Sequence, residues 1–248
     1  MIPESKVIVV ALEGSHGCGK TVLCNEFATQ GYIVLDEAFM SMPAYSLHPQ
    51  SLLMETLWVC SWFERVLRLT NSVEPGCKQV IIADRSPYSA VLYSDNGHLL
   101  EPVIREQMRE VQNSAGVRFY MVHVRVEREL LWRRICARLE HSPERFRLRE
   151  HKRDWMDETL AFYEAFDWDL TVTNDERSVA TIAKNIRMLL SEQDDTFRIV
   201  SATKASESFS SKISVSSPRT TGNESRNTGE ELDMRGKSSS FSDLSTTP

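Results

Sequence analysis

No stretch of this 248-residue chain is apolar for the ~20 residues that a membrane-spanning helix needs. Cationic surplus is missing too: 29 Lys and Arg stand against 35 Asp and Glu, a formal net charge of -6. That balance argues against a polymeric nucleic acid as the partner, because grip on a phosphate backbone needs an excess of basic side chains. It leaves room for a local basic pocket around a small phosphorylated ligand. Cysteine is scarce and unpaired. The five residues Cys18, Cys24, Cys60, Cys77 and Cys136 show neither CxxC nor Cys/His ligand spacing. This argues against a disulfide framework or a zinc site, and reduced thiols in a cytoplasmic protein are expected. The N-terminal residues lack a basic leader and a small-residue cleavage site. The apolar run that follows, ending at Glu13, therefore reads as a strand and not as a signal peptide.

The composition changes near residue 200. Ser and Thr dominate residues 201–248, and large apolar side chains are few. Such a segment buries too little apolar surface to offset its ordering entropy. The expected division is a folded domain at 1–195 and a disordered tail at 196–248. Ser216-Ser217-Pro218 and Ser238-Ser239-Ser240 are candidate phosphorylation sites in that tail, with an inert solvated tail as the plain alternative.

Strands and helices alternate in the remaining domain. Val7–Leu12, Tyr32–Leu35, Val80–Ala83, Phe119–Val124 and Leu170–Thr173 read as strands. Helical spacing marks 20–30, 52–69, a segment opened by Pro102, 127–139, 152–166 and 179–190. This order predicts a three-layer α/β/α domain with a parallel sheet of about five strands.

Gly14-Ser15-His16-Gly17-Cys18-Gly19-Lys20-Thr21 matches G-x-x-x-x-G-K-[ST] in full, with a strand before it and a helix after it. Glycines let the backbone curl its N–H groups onto phosphate oxygens, and the helix N-terminus adds positive potential. Lys20 is expected to reach the β- and γ-phosphates of ATP, and Thr21 to ligate Mg²⁺. His16 and Cys18 occupy variable positions and are expected to fill space. The motif predicts a P-loop NTPase fold. It lacks the DxxG and Asn-Lys-x-Asp elements of a G protein, and it is short for a motor domain.

The block Val80-Ile81-Ile82-Ala83-Asp84-Arg85-Ser86-Pro87-Tyr88-Ser89 resembles a hallmark of the deoxynucleoside kinase and thymidylate kinase superfamily. Asp84 resembles the acid of the thymidylate kinases. Ser86, Tyr88 and Ser89 are closer to the nucleoside kinases, and Tyr93 matches a later thymidylate kinase Tyr. The resemblance extends to Asp36-Glu37 after the second strand, although Ala38 stands where these families usually have Pro. It extends also to Trp62, Phe63 and Arg65 on the long helix, and to a stretch dense in arginine from Arg128 to Arg149. That stretch is similar to the family's phosphate-closing lid.

The resemblance implies ATP-dependent phosphoryl transfer to a nucleoside or a nucleoside monophosphate, and it allows a homodimer through the long aromatic helix. Asp84 is placed to hold Mg²⁺ through water, and Arg85 to reach the acceptor. Arg134 and Arg138, four apart on one helix, share a face and are candidates to clamp the transferring group, the alternative being a basic surface helix that pairs with Glu127, Glu129 and Glu140. Glu37 is the candidate base, because a nucleoside hydroxyl needs its proton removed whereas a monophosphate needs cationic grip. Trp58, Trp62 and Phe63 are candidates for a base-stacking wall, with the core as the commoner place for aromatics at helical spacing, and Trp62 and Phe63 are expected to divide the two roles. Asn174 and Asp175 follow the last strand, where backbone groups of this architecture often touch adenine. The alternative is a nucleotide-binding switch without kinase activity, which needs the P-loop but no acceptor base.

Overall fold

The computed structural model describes residues 6–39, 42 and 47–203, which form one α/β/α unit. Strand β1 (Val7–Glu13) is buried at all seven positions, as its Val- and Ile-rich run requires of a strand covered on both faces. It is the central strand of a five-stranded parallel sheet in the order β2-β3-β1-β4-β5. The others are β2 (Ile33–Leu35), β3 (Gln79–Asp84), β4 (Val117–Arg125) and β5 (Leu170–Thr173). Register is set by pairs such as Val9 opposite Ile81 and Phe119.

Alternation along β1 sends its side chains into two cores. Ile8, Val10 and Leu12 join a cluster with α1 (Lys20–Thr29), α5 (Arg128–His141) and α7 (Val179–Gln193). Val7, Val9 and Ala11 join the opposite cluster, under α2 (Leu52–Asn71) and α4 (Glu101–Ala115). Each large side chain so buried contributes roughly 1.5–3 kcal/mol. Short α3 (Ser89–Tyr93) and α6 (Arg153–Ala165) complete the set used below. The carboxyl ends of β1, β2 and β3 lie side by side at the strand order's reversal, where open α/β sheets place their ligands.

Regular structure continues past the expected boundary at residue 195. Residues 195–203 are helical and packed on the domain. Asp194 accepts a hydrogen bond from the Phe197 N–H (2.9 Å) and pairs with Arg118, which starts the helix. Phe197 is fully buried and stacks on Tyr32 with ring centroids 6.5 Å apart. The Ser-rich composition begins only after these apolar residues, so a composition boundary fell short of the packing boundary. Phe197→Ala is expected to cost about 3–5 kcal/mol of unfolding free energy, measured by urea denaturation. A loss under about 1 kcal/mol would mean that the helix adds little to the domain. The remainder of the expected tail, with its candidate phosphorylation sites, lies outside the described residues.

Candidate active site

The turn from β1 to α1 sets the first wall. Gly19 has φ +95°, and a Cβ there would meet the Asn174 amide nitrogen at 2.6 Å. Gly14, at φ +146°, lies so close to β4 that a Cβ would sit 2.7 Å from the Val124 carbonyl. Glycine is therefore required at both positions by backbone angle and by space. Lys20 is buried, and its ammonium donates to the carbonyls of Gly14 (2.8 Å) and Ser15 (3.1 Å), which holds it at the centre of the loop. Thr21 Oγ1 donates to Asp84 Oδ2 at 2.5 Å, tying the helix start to the end of β3.

The second wall is the chain after β3. Arg85 adopts φ +77°, a left-handed angle that costs a non-glycine residue roughly 1–2 kcal/mol. Its surroundings hold it there. The Arg85 N–H donates to Leu12 O (3.1 Å), and its carbonyl accepts from Trp62 Nε1 (3.1 Å). The guanidinium donates from Nε to Glu37 Oε1 (2.7 Å), and from its two Nη atoms to Ser89, Tyr163 and Tyr93. Beneath it lies Glu13, buried at the end of β1. This carboxylate accepts from Ser86 N and Oγ (both 2.7 Å), from Ser89 Oγ and from Tyr163 OH. It fixes the turn that carries Asp84 and Arg85.

One cavity of about 350 Å³ brings these walls together. Of the sequence candidates, His16, Gly17, Gly19, Lys20, Thr21, Glu37, Asp84, Arg85, Arg134 and Arg138 all line it. Gly14, Ser15 and Cys18 do not. Ser15 Oγ hydrogen-bonds Thr159 Oγ1 (2.8 Å), and Cys18 belongs to the core cluster. Of the two variable positions, Cys18 packs in the core and His16 faces the cavity. His16 is 3% exposed, and both ring nitrogens lack a partner among the described residues. Burial, together with Arg138, Lys20 and Arg85, pushes its pKa down to about 3, so the ring enters the cavity neutral.

Glu37 faces the opposite way electrostatically. Burial would raise its pKa, but Arg85 and Lys20 outweigh that cost and hold it below the usual carboxylate range. It is therefore ionised at neutral pH. The residue that follows explains the missing proline. Ala38 has φ +51°, which a proline ring fixed near -65° cannot adopt. Ala38→Pro should therefore displace Glu37; a variant with unchanged unfolding temperature and an undisturbed Glu37–Arg85 bond in its crystal structure would refute this reading of the turn.

The aromatic and arginine candidates divide. Trp62 is fully buried and meets Phe63 edge-on at 5.3 Å, so both belong to the core under α2 and not to a stacking wall. Trp58 takes the cavity position instead, and its Nε1 donates to the Glu37 carbonyl (2.8 Å). Arg65 pairs with Asp36 (2.7 Å) outside the cavity. In the arginine-dense stretch, Arg128 is bound to Asp157 and Arg133 faces solvent near Glu176. Arg134 donates to the carbonyls of Asn174 (3.2 Å) and Asp175 (2.7 Å), the loop singled out for adenine.

Sequence reasoning missed Glu150. This carboxylate is 4% exposed and accepts from Arg138 (2.5 Å) and from Arg145 (3.1 Å), a residue of the 3₁₀ segment Pro143–Leu148. It draws two arginines from separate elements into one cavity. A lone Glu within an arginine run carries no periodic signal, so pattern reading passes over it. Glu13 was missed for a different reason: it was read only as the end of a strand.

Among the described residues, no cluster of three His, Cys, Asp or Glu side chains could hold a metal by itself. Thr21 Oγ1 and Asp84 nevertheless fit Mg²⁺, which takes one or two protein oxygens and completes its shell with water and phosphate. Asp84 Oδ1 is buried without a partner among the described residues, beside the oxygen that Thr21 engages. A buried carboxylate oxygen left unpaired is costly, and a hydrated cation would satisfy it.

Comparison with solved structures bears on the fold. The structure matches a deoxyadenosine kinase from M. mycoides, solved with dCMP and a flexible dCDP bound, at TM-score 0.50 and 17% identity. The match covers 74% of this chain and 99% of that one. This is the fold of a P-loop kinase. The YorR protein of Bacillus subtilis, in complex with phosphorylated GDP, also matches, at TM-score 0.44 and 16% identity over 75% of this chain and 96% of that one. No protein-family model matches the chain, and no curated protein matches it by sequence. At these identities the likeness speaks to the fold. No described helix is long and apolar enough to cross a membrane.

Proposed function

We propose that this protein transfers a phosphoryl group from ATP to a hydroxyl of a nucleoside, with nucleoside monophosphates as the secondary acceptor class. The observation that carries the reading is the ionised Glu37 bound to Arg85 in the same cavity as Lys20, Thr21 and Asp84. A phosphate cradle alone serves any nucleotide-binding protein. A carboxylate kept ionised by a buried guanidinium, opposite the cradle, serves a proton-bearing nucleophile. The likeness to a deoxyadenosine kinase supports the same acceptor class.

In this reading the loop N–H groups and Lys20 hold the β- and γ-phosphates. Arg134, Arg138 and Arg145 neutralise charge that spreads over the transferring group. Glu37 accepts the proton of the attacking hydroxyl at its carboxylate oxygen. Arg85, fixed by four side chains, orients Glu37 and meets the acceptor. Thr21 and Asp84 would hold Mg²⁺, which supplies charge neutralisation across the phosphates when bound.

The test is transfer of the labelled γ-phosphate of ATP to a panel of nucleosides and nucleoside monophosphates. The expected result is a labelled nucleoside 5′-monophosphate. ATP binding with no transfer to any member of the panel would overturn the kinase reading and leave a nucleotide-binding switch.

A further inference from the structure

Glu55 has no role in the mechanism above, yet it is among the most buried charged side chains of the protein, at 2% exposure. It lies on α2 one turn before Trp58, and both line the cavity, as does Gln50 ahead of the helix. The Trp58–Glu37 hydrogen bond holds this helix face against the loop that carries Glu37. Glu55 Oε1 has no partner among the described residues. A polar atom withdrawn from water without a partner carries the full desolvation penalty, so folded proteins rarely leave one without a use. The residue that carries this atom lines a cavity large enough for a nucleoside-sized ligand.

We propose that Glu55 is a specificity-determining residue of the acceptor pocket, hydrogen-bonding as an uncharged acid to a nucleobase edge that presents a donor and an acceptor side by side. The inference rests on the acceptor reading above and adds the part of the acceptor that is read. A carboxylic acid offers one O–H donor and one C=O acceptor on adjacent atoms. That pattern complements an amidine edge such as those of adenine and cytosine through two parallel hydrogen bonds. The ionised carboxylate offers only acceptors and would meet the ring nitrogen of such an edge lone pair to lone pair.

The surroundings favour the acid form. Burial pushes the Glu55 carboxyl up to about 8, opposed by Arg85 and reinforced by the negative Glu37. The titratable and charged groups that share the cavity wall are Glu37 after β2, Arg85 after β3 and Tyr93 on α3. At the phosphate end they are His16, Lys20, Asp84, Arg134, Arg138, Arg145 and Glu150. Burial pushes Tyr93 up to about 12, and His16 is held down near 3, so neither changes charge between pH 7 and 9. Arg85 stays charged and Glu37 stays ionised across that range.

The experiment measures deoxyadenosine and deoxycytidine binding to the full chain by calorimetry at pH 7 and pH 9, where neither base titrates. Wild type should bind about tenfold more weakly at pH 9, because the competent acid form falls to about one part in ten. Glu55→Gln keeps a donor and an acceptor at every pH, so it should bind equally at both. Glu55→Leu should lose at least tenfold at pH 7, with thermal melting confirming that it folds. Identical pH profiles in wild type and Glu55→Gln, or wild-type affinity in Glu55→Leu, would overturn the proposal. So would failure of both nucleosides to bind. The labelled-ATP panel reads transfer to any acceptor, so its failure beside pH-dependent nucleoside binding would remove the kinase reading and leave Glu55 as a base reader.

Discussion

Glu37→Gln is expected to lower nucleoside phosphorylation by about 10²–10⁴-fold, the usual contribution of a positioned general base. The amide oxygen can still accept from Arg85 Nε, so the fold and the turn after β2 should persist. ATP affinity should change little, because Lys20 and the loop N–H groups supply that grip. The pH profile carries the sign. Arg85 and Lys20 overcome the burial cost and depress the Glu37 pKa, so the acid limb of wild-type kcat/KM should lie below the ordinary range for glutamate. Glu37→Gln should abolish that limb along with the activity. A nucleoside monophosphate arrives with an anionic oxygen and needs no base, so transfer to it should fall far less. Steady-state kinetics on both acceptor classes decides the matter. Equal losses on both would mean that Glu37 acts as an anchor for Arg85 and not as a base.

The parts of this site that sequence made legible are those whose geometry is local. A strand, a glycine turn and a Lys-Thr pair at a helix start are neighbours in the chain, so spacing alone placed Lys20 and Thr21. Asp84 and Glu37 were legible for a related reason. Asp84 ends a strand and Glu37 comes just after one, and parallel strands point their carboxyl ends to one side of the sheet. The residues that escaped depend on partners far along the chain. Whether Trp58 or Trp62 faces the cavity is settled by the pitch of α2 against β3, where Trp62 Nε1 reaches the Arg85 carbonyl. Both tryptophans sit on one apolar face, so helical periodicity could not separate them. Glu13 meets Ser86, Ser89 and Tyr163 across three elements, and Glu150 joins arginines of α5 and the following 3₁₀ segment. Neither carboxylate has a local pattern. The helix at 195–203 was hidden because its apolar residues stand at the edge of a Ser-rich composition.

Arg85→Lys is expected to impair both stability and catalysis, which distinguishes it from Glu37→Gln. A lysine keeps one positive charge but cannot reproduce a planar fork that serves Glu37, Ser89, Tyr163 and Tyr93 at once. Phenol oxygens of Tyr93 and Tyr163 lose a charged donor inside the protein, and Glu37 loses its bidentate-capable partner. Breaking a buried ionic arrangement by weakening one member costs roughly 3–5 kcal/mol at full burial. Glu37 is more than a third exposed, so the lower end, about 3 kcal/mol, is the expected loss in chemical denaturation. Catalysis should fall further than folding alone explains. With the guanidinium gone, the burial cost on Glu37 is opposed less strongly, and its pKa rises. The acid limb of kcat/KM should therefore move to higher pH in Arg85→Lys, whereas loss of fold alone would lower the whole profile without moving it. The backbone adds a second effect. Arg85 holds φ +77° because its side chain, its carbonyl and its N–H are each engaged. Releasing the side chain lets that angle relax toward negative φ, and the turn carries Asp84 with it. Thr21 then loses its fixed partner, so the phosphate end of the cavity should feel a change made at the acceptor end. A rise in the KM for ATP in Arg85→Lys, absent from Glu37→Gln, would register that coupling.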